Sequence, residues 1–338
     1  MGLEFGLFNN RVFLLADYYT TKTSDLLLNV SISSVSGFQT TLQNLGEVEN
    51  KGFEIALSSK NFVGDFSWDT DINFSTNKNE VLSLNENNEP IFSAGSAGIR
   101  HVTRVGDPIG SYYGYVVDGI YQSEAEIANA PTDTQAPDPA VGDFRFKDID
   151  GDGQITPDDR TVTGSYFPDF TWGINNRLSY KNIDFSLLIQ GVEGNEILNL
   201  TSRHLKNGEA NFNSYAVFND RWRSPSDPGN GKIPRADRES GNHGNNSRPS
   251  SFQVEDGSFI RLRNVTLGYS MPTKNLFGNS GIDRLRFYIT GTNLFTITDY
   301  LGYNPEVSNI STNSLTPGED YGAYPLTRSF TMGVNLTF

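Results

Sequence analysis

The 338-residue sequence has no cysteine, only three histidines and three methionines, and no apolar run near the length of a membrane-spanning helix. Without cysteine there is no disulfide framework, no thiolate metal centre and no cysteine nucleophile. His101, His204 and His243 lie far apart in Gly-, Asn- and Ser-rich surroundings, show no metal-ligand spacing, and read as surface residues. Basic residues are also scarce: 26 Lys and Arg against 40 Asp and Glu leave a net charge of -14. A nucleic-acid binder needs a basic stripe to neutralise phosphates, so that class is excluded. No G-x-S-x-G, H-E-x-x-H or phosphate-cradling loop occurs, and carboxylate pairs such as Asp158 and Asp159 sit in loops where acids are solvated, so no catalytic constellation is read.

The missing apolar run, with a mean hydropathy of -0.43, excludes a helical membrane span. It does not exclude a transmembrane strand, which needs only about 9–11 residues with one face apolar and the other polar. Such alternation is what the sequence contains. In "FSWDTDINFST", Phe66, Trp68, Ile72 and Phe74 oppose Ser67, Asp69, Asp71 and Asn73. The split recurs in "LEFGLFN", "RVFLLADYY", "KGFEIALSS", "FTWGINNRLSY", "IDFSLLIQG", "RLRFYITG" and "FTMGVNLTF". "FIRLRNVTLGYSM" changes phase midway, which predicts a β-bulge near Arg263 or Asn264. About nine strands follow, with no convincing amphipathic helix. Their connections alternate between short turns and long loops (about 21–46, 79–168, 191–256 and 296–325), the layout of an outer-membrane barrel with its long loops outside. Aromatics near strand ends, including Tyr18, Tyr19, Trp172, Tyr180 and Tyr269, suit the interfacial girdles of such a barrel.

Within the loop 79–168 lies "KDIDGDGQITPDDR". Asp148, Asp150 and Asp152 occupy positions 1, 3 and 5 of a calcium loop, Gly153 the sharp turn at 6, and Asp159 the closing position 12, with Gln154 offering its backbone carbonyl. A hard cation needs oxygens converging from several sides, and alternate residues of a tight turn supply them. Ca2+ is the expected ion. Pro157 and the strand-like "GDFRF" upstream exclude the two flanking helices of an EF-hand.

Several segments in order, among them "NLGEVENKGFEIAL", "VGDPIGSYYGYVVDGIYQ", "GDFRFKDIDGDGQITPDDR", "FNDRWRSPSDPG", "DGSFIRLRNVTLGYSMP" and "LRFYITGTNLFTITDYLGYNPEV", carry a family likeness. Across the whole chain the sequence resembles the C-terminal barrel region of SusC/RagA-type TonB-dependent outer-membrane transporters of Bacteroidota-like bacteria. The resemblance implies about nine strands of a barrel of about 22, plugged from its N-terminal side, that imports oligosaccharides or peptides. It implies as partners the TonB-ExbB-ExbD complex, engaged through an N-terminal part, and a SusD-like lipoprotein closing the extracellular mouth. The Asp-rich loop then reads as a structural strap, with Ile155 pointing inward.

Loop aromatics, Tyr112, Tyr113, Tyr115, Tyr121, Trp222 and Tyr303, are the candidates for stacking on sugar rings or gripping a peptide. The final strand, with Phe330, Met332, Val334, Leu336 and a terminal Phe338, resembles the signal read by the barrel-assembly machinery. Relative to the family, whose members are roughly three times longer, the sequence shows no signal peptide, plug or TonB-interacting segment before its first strand. Met1 therefore reads as an internal residue or a truncated start, and this polypeptide alone is expected not to transport. Two other classes stay open: a secreted calcium-dependent glycan-binding or adhesive β-protein, and an extracellular glycoside hydrolase with two carboxylates about 5–10 Å apart across a cleft.

Overall fold

The computed structural model describes residues 1–31, 35, 37–38, 40–44, 46–84, 87–136, 138–206, 208, 213–237, 248–272, 283–307 and 313–338. Nine strands form one antiparallel meander in chain order. They are β1 (Gly2–Leu7), β2 (Val12–Ser24), β3 (Glu47–Phe62), β4 (Phe66–Ser83), β5 (Phe170–Tyr180), β6 (Ile183–Glu193), β7 (Phe259–Met271), β8 (Arg284–Thr298) and β9 (Ser329–Thr337). β1 and β9 pair on one side only, so the sheet is an open segment of barrel wall. No helix among the described residues is long and apolar enough to cross a membrane.

Cross-strand register makes the two faces explicit. Phe5, Leu14, Leu57, Ile72, Ile174, Ile189, Leu262 and Phe295 stand directly opposite one another, strand after strand, in one unbroken apolar row. The neighbouring row on the other face runs Asn73, Gly173, Gln190, Arg261, Thr296. Phe287, Ile289, Phe330, Met332 and Val334 leave the apolar face exposed, which in water would be a large patch needing cover. A lipid-facing outside and a polar inside is the arrangement of a membrane barrel wall.

Three cross-strand pairs set an aromatic ring over a glycine: Tyr19 on Gly52, Trp172 on Gly191 and Tyr288 on Gly333. A Cβ on any of these glycines would lie 2.3 Å from the ring, so the close approach requires Gly. Tyr19 thereby faces inward, its hydroxyl 3.1 Å from Asn77 Oδ1, and does not join the outward aromatics Tyr18, Tyr180 and Tyr269. The bulge falls at Arg263: Leu188 pairs with Asn264 and Ile189 with Leu262, leaving Arg263 as the extra residue.

The buried core lies at one end of the wall, where Val48, Val81 and Phe259 at the strand ends join it. It fills a loop layer at one rim, built from the segments between β2 and β3, β4 and β5, β6 and β7, and β8 and β9. The largest of these loops begins after Ser83 rather than at residue 79, because β4 runs on through an alternating stretch that pairs with Glu47–Asn50 of β3. It folds into short strands, among them Ile91–Gly95, Gly98–Thr103, Ser111–Gly114 and Thr161–Gly164, in a four-stranded sheet of its own.

Candidate functional site

The Asp-rich segment is a compact turn with every early carboxylate facing backbone amides. Asp148 accepts from Gly151 N at 2.6 Å and Gly153 N at 2.9 Å, Asp150 from Asp152 N at 3.1 Å, and Asp152 from Gln154 N at 2.7 Å. Gly151 and Gly153 take φ of 78° and 82°, the left-handed turns that a side chain would strain. Asp148, Asp150 and Asp152 each offer an oxygen, all within 4.8 Å of one another, and this is a donor set that fits a hard cation. The amide of Gly153 holds Asp148 below the usual carboxylate range. Asp150 goes the other way: the amide of Asp152 pulls it down, but desolvation and the carboxylates of Asp152, Asp159 and Asp148 together push it up. Of the other two predicted ligands, Asp159 stands outside this carboxylate cluster. Gln154 pairs with Thr132 in a two-residue parallel bridge. Asp159 is buried and spends its carboxylate on Ile149 N and Thr156 N, both at 2.7 Å. The cause is Pro157, which starts a one-turn helix (Pro157–Asp159) for which Asp159 completes a capping box with Thr156. Ile155 points into the loop core beside Phe146 and Trp222.

The six candidate aromatics divide. Tyr112, Tyr115, Tyr121 and Trp222 are buried, their rings packing between loops. Tyr112 hydroxyl lies 2.9 Å from Glu196 O and 3.1 Å from Gly318 O, joining three of the long loops. Trp222 donates to Gln122 Oε1 and covers Gly142, whose φ of 97° and lack of a Cβ let the indole approach. Arg248 lies over the neighbouring rings of Tyr115 and Phe146, whose centroids are 5.5 Å apart, and pairs with Asp133 at 2.6 Å. Tyr113 is half-buried against Phe92 and Arg160. Tyr303 is 71% exposed and is the one candidate whose ring stands open to solvent.

Two arrangements were not legible beforehand. His101, expected at the surface, is fully buried, with Nε2 3.1 Å from Pro317 O and Nδ1 3.6 Å from Glu319. Glu319 in turn accepts from Ser96 N and Oγ, both at 2.9 Å. His204 is half-buried, and His243 lies outside the described residues. The second arrangement crosses the inner face of the wall. Arg261 is buried and donates to Glu306, to Asn304 Oδ1 at 3.2 Å and to Thr296 Oγ1 at 2.9 Å, while Gln190 Nε2 reaches Glu306 at 3.1 Å. The segment 299–307 is thereby strapped over the polar face, with Tyr303 at its crest. Phe330, Met332, Val334, Leu336 and Phe338 all lie exposed on the last strand and its end.

An open antiparallel wall with an apolar outside, a polar inside and a folded loop layer at one rim defines a segment of a large membrane β-barrel. No family model matches the chain. It is 40% identical over 350 residues to TonB-dependent receptor P3 of Formosa agariphila, covering 100% of this chain and 33% of that protein. It is 27% identical over 351 residues to TonB-dependent receptor SusC of Bacteroides thetaiotaomicron, covering 100% of this chain and 31% of SusC. In fold it is similar to a chain of the RagAB peptide transporter, with a TM-score of 0.78 at 23% identity over 100% of this chain and 34% of that one. The chain has the sequence and fold of the C-terminal barrel portion of a SusC/RagA-type TonB-dependent receptor. It spans about a third of the length of the relatives it matches.

Proposed function

We propose that the protein to which this chain belongs imports oligosaccharides or peptides across the outer membrane. The observation that carries this is the wall itself: an apolar row continuous across eight strands backed by a polar row, over the full length that matches the TonB-dependent receptors. Such a wall serves passage, since a polar interior enclosed by lipid is a conduit. Energy would come from the TonB-ExbB-ExbD complex acting on the part of the protein that lies outside this chain. A SusD-like lipoprotein would sit on the loop rim and close it, a partnership suggested by the likeness to SusC and to RagAB. The Asp148, Asp150 and Asp152 turn would hold a structural Ca2+ whose charge balances three converging carboxylates and stiffens the loop. The exposed apolar side of Phe330, Met332, Val334, Leu336 and Phe338 suits recognition of the last strand by the barrel-assembly machinery. Nothing in the relatives points to an enzyme.

The test is an in-frame deletion of the whole gene in its native cell, complemented with and without TonB, with uptake of labelled oligosaccharide and peptide pools as the readout and affinity capture of the transporter to identify the lipoprotein. Complementation by the gene that does not depend on TonB, or no uptake defect on any pool, would remove the import reading.

A further inference from the structure

Under the strap, between Pro305–Val307 and the inner wall, lies a hollow of about 390 Å³. Its wall side is the row Thr171, Val192, Phe259, directly opposite one another at the loop-side ends of β5, β6 and β7. Tyr166 and Pro168 close it from the loop before β5, and Asn195 and Glu306 supply its polar edge. Asn195 is buried, and its Oδ1 has no hydrogen-bond partner among the described residues. Thr171 and Val192 also line a second hollow of about 530 Å³ further down the polar face, beside Glu54, Asn73 and Gln190. The first hollow thus opens onto the inner wall along which a passing molecule would travel.

The chemistry selects among occupants. A sugar ring carries several hydroxyls, each needing a partner when buried, and here the strap carboxylate is already engaged by Arg261 and Gln190. The aromatic on the wall cannot stack on a sugar either, since Phe259 is buried with Arg261 over its ring at 4.7 Å. What remains is an apolar recess of Val, Pro, Phe and Tyr surfaces. A peptide offers the complement, an apolar side chain to fill the recess.

We propose that this hollow is a subsite for a large apolar side chain of a peptide passing along the inner wall, a proposal that rests on the import reading above. The strap positions it: Arg261, buried beneath Glu306, fixes the segment that carries Pro305 and Val307. Val192, central in the recess and facing inward, controls its depth.

The test uses the full-length transporter purified from outer membranes with its lipoprotein, and the pentapeptides Ala-Ala-X-Ala-Ala with X as Ala, Leu or Phe. The Leu and Phe peptides should bind about tenfold or more tighter than the Ala peptide, the gain expected from burying one such side chain. Val192→Phe should flatten the series to within about twofold. Val192→Ala, which only enlarges the recess, should favour Phe over Leu and decides the matter if the larger variant fails to assemble. A flat series or no binding by the unmodified protein overturns the proposal, as does a series indifferent to both variants. So does a Val192→Phe variant that loses thermal stability without ligand while Val192→Ala leaves the series unchanged, since the occupant is then a segment of the transporter itself. TonB-dependent uptake is measured in parallel on the same cells: uptake with a flat series defeats this subsite alone, and absent uptake defeats the import reading.

Discussion

Arg263 and Asn293 join two irregularities that face each other across β7 and β8. Arg263 is the extra residue of the β7 bulge, Asn293 sits in the left-handed region with φ of 53°, and Arg263 Nη1 donates to Asn293 Oδ1 at 2.9 Å. The bulge puts Arg261 and Arg263 on the same polar side, Arg263 3.7 Å from Glu306. Deleting Arg263 removes only the extra residue: Leu262 and Asn264 then stand consecutively opposite Ile189 and Leu188, so residues 259–262 keep their faces, Arg261 inward and Ile260 and Leu262 toward lipid. The expected outcome is folded full-length protein in outer membranes, read as the heat-modifiable band; loss of the band would mean that the pairing of β7 with β8 requires the bulge itself. Arg263→Ala keeps the register and should cost only about 1 kcal/mol for the lost hydrogen bond.

That bulge was legible in the sequence because a wall strand has one wet face, so a phase change shows directly in the residues. All nine strands were legible for the same reason. The loop layer was not. His101 meets Pro317 and Glu319 across more than 200 residues of chain, and no local period announces such a pair. Tyr112 and Trp222 have the same chemistry as Tyr303, and only tertiary packing buries the first two. Position 12 of a calcium loop and the third residue of a capping box both call for an acidic residue at Asp159, and the capping arrangement that Pro157 starts has no signature separate from the calcium-loop spacing.

Burial lowers the titration of His101, the attraction of Glu319 opposes this, and Arg100 beside it adds to the lowering. The buried ring is therefore neutral, with Nε2–H donating to Pro317 O. An unfolded loop layer would take up a proton near the ordinary value of 6.5, which the folded ring resists. Stability from this site is thus complete above that pH and is lost as pH falls below it toward the lower folded value. Hydrogen exchange of residues 96–103 and 315–320 in the full-length protein should quicken between pH 7.5 and 5.5, and His101→Gln should weaken that dependence.

The three-carboxylate turn makes a separate prediction. Asp148 holds the amides of both Gly151 and Gly153, so Asp148→Ala removes the turn's anchor as well as a ligand oxygen. Protease cleavage between residues 140 and 165 should rise in the variant, and a calcium chelator should produce the same rise in the unmodified protein but add little to the variant. A chelator with no effect on the unmodified protein would leave the turn held by its hydrogen bonds alone.

The pairing of Trp172 with Gly191 tests the wall where no loop contributes. The two residues are directly opposite in β5 and β6, and a Cβ on Gly191 would lie 2.3 Å from the indole nitrogen. Gly191→Ala must displace the indole from the outward face, and overpacking of this kind costs about 1–3 kcal/mol. The full-length protein should lose its compact form at a lower temperature in a heat-modifiability series. Trp172→Leu alone removes aromatic cover and should also destabilise. Combined with Gly191→Ala, however, the smaller side chain leaves room for the new methyl, so the double variant should be more stable than the sum of the two losses. Strict additivity would mean that ring and glycine are neighbours without being coupled, and the glycine would then be needed for its backbone alone.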